Sequence, residues 1–198
     1  VTLELADNQG ACGTQATTTV SGKLITSGGE TVSNAEIALD NGIKEMLQST
    51  VSTTAGEFNF AYAKMYYNYT VTGKKTDDYL NGVSTLDLVL IQRHILGVQA
   101  LNDSYKLIAA DANNDGAVTA SDLIELRKLI LGLTSTLNNN TSWRFAVAGT
   151  PVNVNPISFD ERINVNPLTG EIAGQDFVAI KIGDVNGNAS TDVTNPTV

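Results

Sequence analysis

The sequence predicts a mainly β protein with a small α part: a Greek-key β-sandwich, a pair of loop–helix repeats and a C-terminal β segment that packs back. Short alternations of apolar and polar residues, separated by Gly-rich and Thr-rich turns, occupy residues 18–73. A loop followed by a helical pattern then occurs twice between residues 76 and 133. Alternating segments return at residues 143–183, which predicts that the chain comes back to the sandwich.

Composition and charge limit the classes of partner. The 198 residues carry a formal net charge of −9, with a pI of about 4.4. An acidic surface does not attract nucleic acid or anionic lipid, so neither is an expected partner. No apolar run approaches the ~20 residues that a membrane-spanning helix needs, so we expect no membrane insertion. Cys12 is the single cysteine, which excludes an internal disulfide.

The chain opens with a short strand pattern, VTLEL at residues 1–5, followed by a turn signal and a polar connector. The stretch VTLELADNQG resembles the last strand of an Ig-like repeat, so this strand is expected either to end an upstream domain of that kind or to add to the open sheet edge of a neighbouring copy. Repeated head-to-tail, the second arrangement would build a filament. Because the opening lacks the basic flank of a signal peptide, the chain is expected to be a mature or excised piece.

Seven further segments show strand patterns, four before the repeats and three after them. They are TVSGKLIT (18–25), AEIALD (35–40), EFNFAY (57–62), YNYTVTG (67–73), WRFAVAG (143–149), ISFDERINV (157–165) and QDFVAIKIG (175–183). Each repeat between them contains a helix of about eleven residues that ends at a glycine, Gly97 or Gly132. Both helices are apolar on more than one side, which predicts that they dock on the sandwich.

Residues 111–122 have the spacing of a twelve-residue calcium loop. A hard cation such as Ca²⁺ takes about six to eight oxygen ligands in flexible geometry. Gly116 stands at position 6, where such a loop turns sharply. An Asx-rich surface turn would use the same residue types, but it does not explain the acidic residue that opens the following helix. The predicted side-chain ligands, at positions 1, 3, 5, 9 and 12, are Asp111, Asn113, Asp115, Thr119 and Asp122.

A second polar segment, GDVNGNAS, follows the last predicted strand. Asp184, Asn186 and Asn188 repeat the spacing of positions 1, 3 and 5 of a calcium loop, but no helical pattern follows them. We interpret the segment either as a polar turn that ends a strand or as a source of oxygen ligands for the loop of the first repeat.

Two resemblances cover the modules of the chain. The segments VSGKLIT, NAEIALDNG and TTAGEFNFAYAKMYYNYTVT resemble the carboxypeptidase regulatory-like, or prealbumin-like, family, which implies a sandwich of non-catalytic spacer type. Two loop–helix repeats with Asp at position 12, and no predicted helix leading into either loop, resemble the dockerin family. That resemblance implies calcium as cofactor, antiparallel pairing of the repeats, and a cohesin-type domain of another protein as partner.

The dockerin resemblance also implies a ligand set for each loop. It adds the carbonyl of Ala117 to the second loop. In the first loop, TDDYLNGVSTLD, Thr76 stands at position 1, and Leu80 at position 5 has no oxygen to offer. The pair used for cohesin recognition in that family is not repeated here, being Thr85-Leu86 in one repeat and Ala120-Ser121 in the other. The first-loop positions that the resemblance singles out are Asp78, Gly82, Ser84 and Asp87.

The order of these parts resembles the C-terminal regions of very large secreted surface proteins of Bacteroidetes-type bacteria. It implies an extracellular, structural or adhesive protein. The predicted divisions are an N-terminal strand and connector (1–16), the regulatory-like sandwich (17–75), the dockerin-like repeats (76–135), and a C-terminal β segment with a tail (136–198).

Three functions remain open from the sequence. The first is a non-catalytic, calcium-stabilised building block of a surface assembly or filament, with copies of itself or neighbouring surface domains as partners. The second is a dockerin-like adaptor for a cohesin-type partner, and the third is an accessory module of a secreted glycan-acting enzyme. No catalytic residues are predicted, because the lone histidine, His94, lies in the polar strip of a helix and no nucleophile–base set is present.

Overall fold

The computed structural model describes residues 15–76 and 78–192. The predicted strand at residues 1–5 and Cys12 lie outside the described residues. The strands are β1 (Thr17–Thr26), β2 (Glu36–Asp40), β3 (Gln48–Val51), β4 (Glu57–Lys64), β5 (Tyr69–Lys74), β6 (Trp143–Val147), β7 (Asn153–Val154), β8 (Ile157–Ser158), β9 (Ile163–Val165) and β10 (Phe177–Lys181). The helices are α1 (Thr85–Ile95), α2 (Ser104–Ala110) and α3 (Ala120–Ile130), with a short 3₁₀ helix at Lys44–Met46.

Two four-stranded sheets form the sandwich, in the orders β4-β1-β10-β6 and β3-β2-β5-β9. All neighbouring pairs are antiparallel except β1 and β10, which run parallel. Each sheet contains strands from both ends of the chain, so the C-terminal β segment does pack back as predicted. The expected mainly β fold with a small α part is confirmed.

The sandwich core lies between the two sheets. Alternate residues of each strand point into it, because successive side chains of a strand face opposite sides of the sheet. Its largest members include Leu24, Ile37, Phe58, Phe60, Tyr69, Phe145 and Phe177. Phe145 and Phe177 meet edge to face, with ring centroids 6.4 Å apart.

A second core, the helix core, lies on the other side of β10 and β6. Val178 and Ile180 of β10 face the helices, while Phe177 and Ala179 of the same strand face the sandwich core. All five residues of β10 are therefore buried, which matches its nearly unbroken apolar sequence. The helix core also contains Ile91, Ile108, Leu126, Leu129 and Ile182. This arrangement docks the helices on the sandwich, as the two-sided apolar pattern predicts.

α1 and α3 begin and end in the same way. Ser84 and Thr119 cap their N-termini, each in a capping box with an aspartate three residues later. At the other end, Gly97 and Gly132 take positive φ values of 67° and 68°. The amides that follow these helices donate back to carbonyls of the last turn, which satisfies groups that the helix itself leaves unpaired. The predicted helix length and glycine ends are confirmed.

Three local predictions were wrong. β3 was not predicted, and the single strand expected at residues 157–165 is split into β8 and β9, which belong to different sheets. A helix, α2, does lead into the second loop, contrary to expectation. It has only seven residues, too few for a helical period to be recognised, and its helical state is supported by the Asp103 cap and by burial of its last three residues, 108–110.

Because β10 is buried between the two cores, its apolar side chains are predicted to contribute strongly to the free energy of unfolding. Ile180→Ala would leave a cavity under the helices and should lower the free energy of unfolding by about 2–5 kcal/mol. Ile124→Ala, on the exposed side of α3, is the matched control and should change it by less than about 0.5 kcal/mol. Urea denaturation followed by circular dichroism measures both, and equal effects of the two substitutions would contradict this assignment.

Candidate metal centre

The second loop lies between α2 and α3, and its first carboxylate is nearly buried. Asp111 is 2 % exposed. Its Oδ1 accepts a hydrogen bond from the Asp115 amide at 3.0 Å, and its Oδ2 accepts from the Gly116 amide at 3.0 Å. Gly116 has a φ of +87°, a conformation that residues with a Cβ rarely adopt. The loop thus folds around the carboxylate that opens it.

Asp122 closes the loop from the other side. Fully buried, it accepts from the Thr119 amide at 2.8 Å through Oδ2 and from the Asn113 amide at 3.1 Å through Oδ1. It sits in the first turn of α3, where the positive end of the helix dipole favours a carboxylate. One side chain therefore joins the beginning of the loop to the beginning of the helix.

The remaining side chains of the loop meet between these two carboxylates. Asn113 donates through Nδ2 to Asp115 Oδ2 at 2.8 Å and to Ser121 Oγ at 3.2 Å. The hydroxyls of Thr119 and Ser121 are 2.6 Å apart. Ser121 was not among the predicted ligands, although its place next to position 12 puts its oxygen in the same cluster. Ala117 belongs to the loop too, and its amide donates to Asp115 Oδ1 at 3.0 Å.

Burial raises the pKa of both enclosed carboxyls. For Asp111, burial is the largest cause, the Gly116 and Asp115 amides oppose it, and the Asp115 charge adds to it. For Asp122, burial again raises the pKa, and the charges of Asp111 and Asp115 raise it further. The loop contains three carboxylates, Asp111, Asp115 and Asp122, and the Arg144 charge, which lowers the pKa of Asp111, offsets the effect of burial only in part. A divalent cation would supply further compensating charge.

The C-terminal β segment holds the outside of the second loop. Asn140 Nδ2 donates to the Asp111 carbonyl at 2.9 Å, and the Ile157 amide donates to the Gly116 carbonyl at 2.7 Å. Arg144 donates to the Asn114 side chain and forms a two-bond ion pair with Glu161, at 2.9 and 2.8 Å. None of these partners could be found from the sequence. They are separated from the loop by about thirty residues or more, and no local motif links them to it.

The donor chemistry of the second loop fits Ca²⁺. Across the described ranges, no three His, Cys, Asp or Glu side chains form a metal-binding group on their own. A site here would therefore need amide, hydroxyl and carbonyl oxygens beside the carboxylates. Such mixed oxygen donors are the ligands of a hard cation, and they suit Ca²⁺ better than Zn²⁺, which prefers nitrogen and sulfur. When bound, calcium would supply charge compensation and cross-linking rather than chemistry.

The predicted residues of the first repeat lie in two separate groups. Asp87 is fully buried, and its Oδ2 accepts from the Ser84 amide and the Ser84 hydroxyl, both at 2.9 Å. The Asp78 carboxylate instead accepts from the Leu80 amide, two residues further along the chain. Gly82 has a φ of +74° and lies against Ala189.

The segment after β10 lies beside Asp87. Asp87 Oδ1 accepts from the amides of Val185 and Asn186, at 3.0 and 3.2 Å. Asp184 is also buried, and residues 187–189 wrap around it through their amides. The structure thus brings Asp87 together with the segment that contains Asp184, Asn186 and Asn188.

Comparison with known families identifies the helical part. Residues 81–131 match the family model of the dockerin type I domain. The match includes α1, α2, α3 and the whole second loop, but it begins inside the first loop, after residues 76–80. No curated protein and no solved structure shows a significant match to the chain. The helical part of the chain is therefore similar to a dockerin type I domain.

Removing calcium is predicted to lower the stability of the chain. A ligand that binds only the folded state adds about 2.7 kcal/mol when its free concentration is about a hundred-fold above Kd. Excess chelator should therefore lower the Tm, and Asp111→Ala should lose most of this response. Glu171→Gln, an exposed carboxylate outside both loops, is the control and should respond like the unchanged chain. Calorimetric melting curves that coincide with and without chelator would refute calcium binding.

Proposed function

We propose that the chain is a non-catalytic docking module, stabilised by calcium, that joins the protein carrying it to a cohesin-type domain of another protein. Dockerin-like architecture is the first support, because residues 81–131 match that family. The observation that carries the proposal is an apolar stripe that each repeat leaves exposed on its helix. Such a surface marks an interface when it is larger than scattered single residues.

The exposed stripe is apolar at equivalent positions in both repeats. Val89 and Ile124 are 49 % and 51 % exposed, although each belongs to a helix that has a buried side. They occupy equivalent positions, as do the exposed apolar residues that follow the C-terminal ends of the two helices. The docking stripe consists of Val89, Leu96 and Val98 in the first repeat and Ile124, Leu131 and Leu133 in the second.

Positive charge accompanies the docking stripe. Arg93 and Lys128 occupy equivalent positions in the last turns of α1 and α3, and Lys128 also forms an ion pair with Glu125 at 3.1 Å. In a chain with a net charge of −9, this pairing of apolar and basic side chains is a local exception. It suits a partner with an apolar surface bordered by acidic groups, since charge complementarity favours association.

Calcium and the sandwich would fix the positions of the helices that contain the docking stripe. The second loop joins α2 to α3 through Asp111 and Asp122, while α2 rests on β10. A stripe on helices held in this way needs little reordering when a partner binds, and pre-organisation strengthens association. In this role the sandwich is a rigid base, and no catalytic group is required.

The other two functions have less support. The filament hypothesis depends on residues 1–5, which lie outside the described residues, and it remains a hypothesis. The regulatory-like family, the Bacteroidetes-type context and the link to a glycan-acting enzyme also remain hypotheses. An extracellular location belongs to the present proposal, because calcium-filled docking modules operate where free calcium is abundant. None of the described helices is long and apolar enough to cross a membrane.

Partner binding is predicted to depend on calcium and on the docking stripe. The intact chain should bind members of an immobilised panel of cohesin domains in calcium and be released by chelator. Val89→Asp combined with Ile124→Asp should weaken this binding at least about thirty-fold, because a buried charge at two central contacts would lack a partner. Surface plasmon resonance measures both effects.

A matched variant separates docking from general damage. Val51→Asp places the same charge on an exposed apolar residue of β3, in the sandwich, and should bind like the unchanged chain. Binding that survives the double substitution would exclude the stripe as the interface. Failure of every cohesin domain to bind, together with calcium-dependent filaments of the chain alone, would instead favour the strand-donation hypothesis.

A further inference from the structure

The turn after β10 and the start of α1 enclose two buried carboxylates that belong to distant parts of the sequence. Asp184 is 8 % exposed and Asp87 is fully buried. Backbone amides of residues 185–189 donate to both of them. The two negative charges therefore share one network of amides. The contiguous first loop does not have the usual ligands of a cation site, because Thr76 replaces a carboxylate at position 1 and Leu80 has no side-chain oxygen at position 5.

Residues 184–189 reproduce the hydrogen bonds of the first half of the second loop. Asp184 accepts from the Asn188 amide at 3.3 Å through Oδ1 and from the Ala189 amide at 2.8 Å through Oδ2. Asp111 accepts in the same way from the amides four and five residues ahead. Asp184 therefore corresponds to position 1 of a calcium loop, and Asn186 and Asn188 correspond to positions 3 and 5.

The second half of the loop comes from the first repeat. Asp87 accepts from the Asn186 amide through Oδ1 and from the Ser84 amide through Oδ2. In the second loop, Asp122 accepts from the amides at positions 3 and 9 through the same two oxygens. Ser84 and Asp87 thus correspond to positions 9 and 12, and the network of the second loop is repeated across a break in the chain.

The two segments pack against each other at Gly82 and Ala189, where the chain of the proposed loop is interrupted. A Cβ added to Gly82 would lie 2.6 Å from the Cα of Ala189, so the two backbones touch where positions 6 and 7 would be consecutive residues. Next to this contact, Asn81 Oδ1 accepts from the Ser190 amide at 2.9 Å and Asn81 Nδ2 donates to the Ser190 carbonyl at 2.7 Å. Backbone conformation agrees at position 4, where Gly187 has a positive φ as Asn114 does in the second loop, while the positive φ of Gly116 at position 6 is replaced here by that of Gly82 at position 7.

An unsatisfied atom points to a ligand at this place. Among the described residues, Asn186 Nδ2 is the one buried side-chain nitrogen or oxygen that lacks a hydrogen-bond partner. The equivalent nitrogen of Asn113 has partners in Asp115 and Ser121, but the corresponding positions here are Asn188 and Leu86. Rotation of the Asn186 amide group by 180° exchanges its Oδ1 and Nδ2 atoms. After this rotation the oxygen would occupy the unsatisfied position, where it could bind a cation.

We infer that residues 184–189 and 82–87 form one split calcium loop, in which the segment after β10 supplies positions 1–6 and the first repeat supplies positions 7–12. Its ligands are Asp184, Asn186, Asn188, Ser84 and Asp87. With two carboxylates, against three in the second loop, it binds calcium more weakly, because affinity follows the number of charged ligands. The ion would fasten the end of β10 to the start of α1. This inference goes beyond the docking function and does not depend on any partner.

Calcium stoichiometry tests the split loop. Equilibrium dialysis of the metal-free full chain against calcium alone should show two bound ions. Asp111→Ala should retain one ion, in the split loop, and the double variant Asn186→Ala, Asn188→Ala should retain one ion, in the second loop. Asp78→Ala is the matched control, since it removes the one carboxylate that only a contiguous first loop would use, and it should still bind two ions.

Two results would overturn the inference. One is a single ion in the unchanged chain that disappears in Asp111→Ala. The other is loss of one ion in Asp78→Ala while the double asparagine variant keeps two. If the double variant does not fold, hydrogen exchange of Asp111→Ala decides: calcium should slow exchange of the amides of residues 185–189, and unchanged exchange would refute the site. Neither measurement involves a cohesin domain, so a failed docking function leaves the result unaffected.

Discussion

β10 is buried on both faces, and this constraint connects every part of the molecule. Phe177 and Ala179 pack into the sandwich core, while Val178 and Ile180 pack under the helices. A strand covered on two sides must be apolar at nearly every position. Its two faces then fix the position of the helices relative to the sandwich. The same strand leads into Asp184, so the position of β10 also sets where the segment 184–189 meets the first repeat.

Buried carboxylates are the second organising feature. Asp87 and Asp122 each occupy the N3 position of a capping box, where the helix dipole and backbone amides favour a negative charge. Burial alone disfavours that charge, as the raised pKa of Asp122 indicates. The backbone amides of Thr119 and Asn113 therefore compensate the buried charge of Asp122 only in part. Calcium would resolve this imbalance while joining segments that are far apart in the chain.

The inner and outer sides of α1 and α3 have different surroundings. Ile91 and Leu126 face the helix core, whereas Val89 and Ile124 are about half exposed. The interior contacts and the loops hold the helices, which leaves the outer stripe available for the docking that we propose. Docking on the outer side would explain why both helices are apolar on more than one side although only one side is needed for folding.

The sequence by itself determined what depends on local spacing: the second loop, α1 and α3 with their glycine ends, and most strands. It could not reveal α2, the division of residues 157–165 between two sheets, or the contacts of Asn140 and Arg144 with the second loop. For Asp184, Asn186 and Asn188 it left two interpretations open, a polar turn or a set of calcium ligands for the first repeat. Only the tertiary structure joined them to Asp87, since a contact between residues about a hundred apart depends on how β10 packs, and spacing along the chain carries no record of that packing.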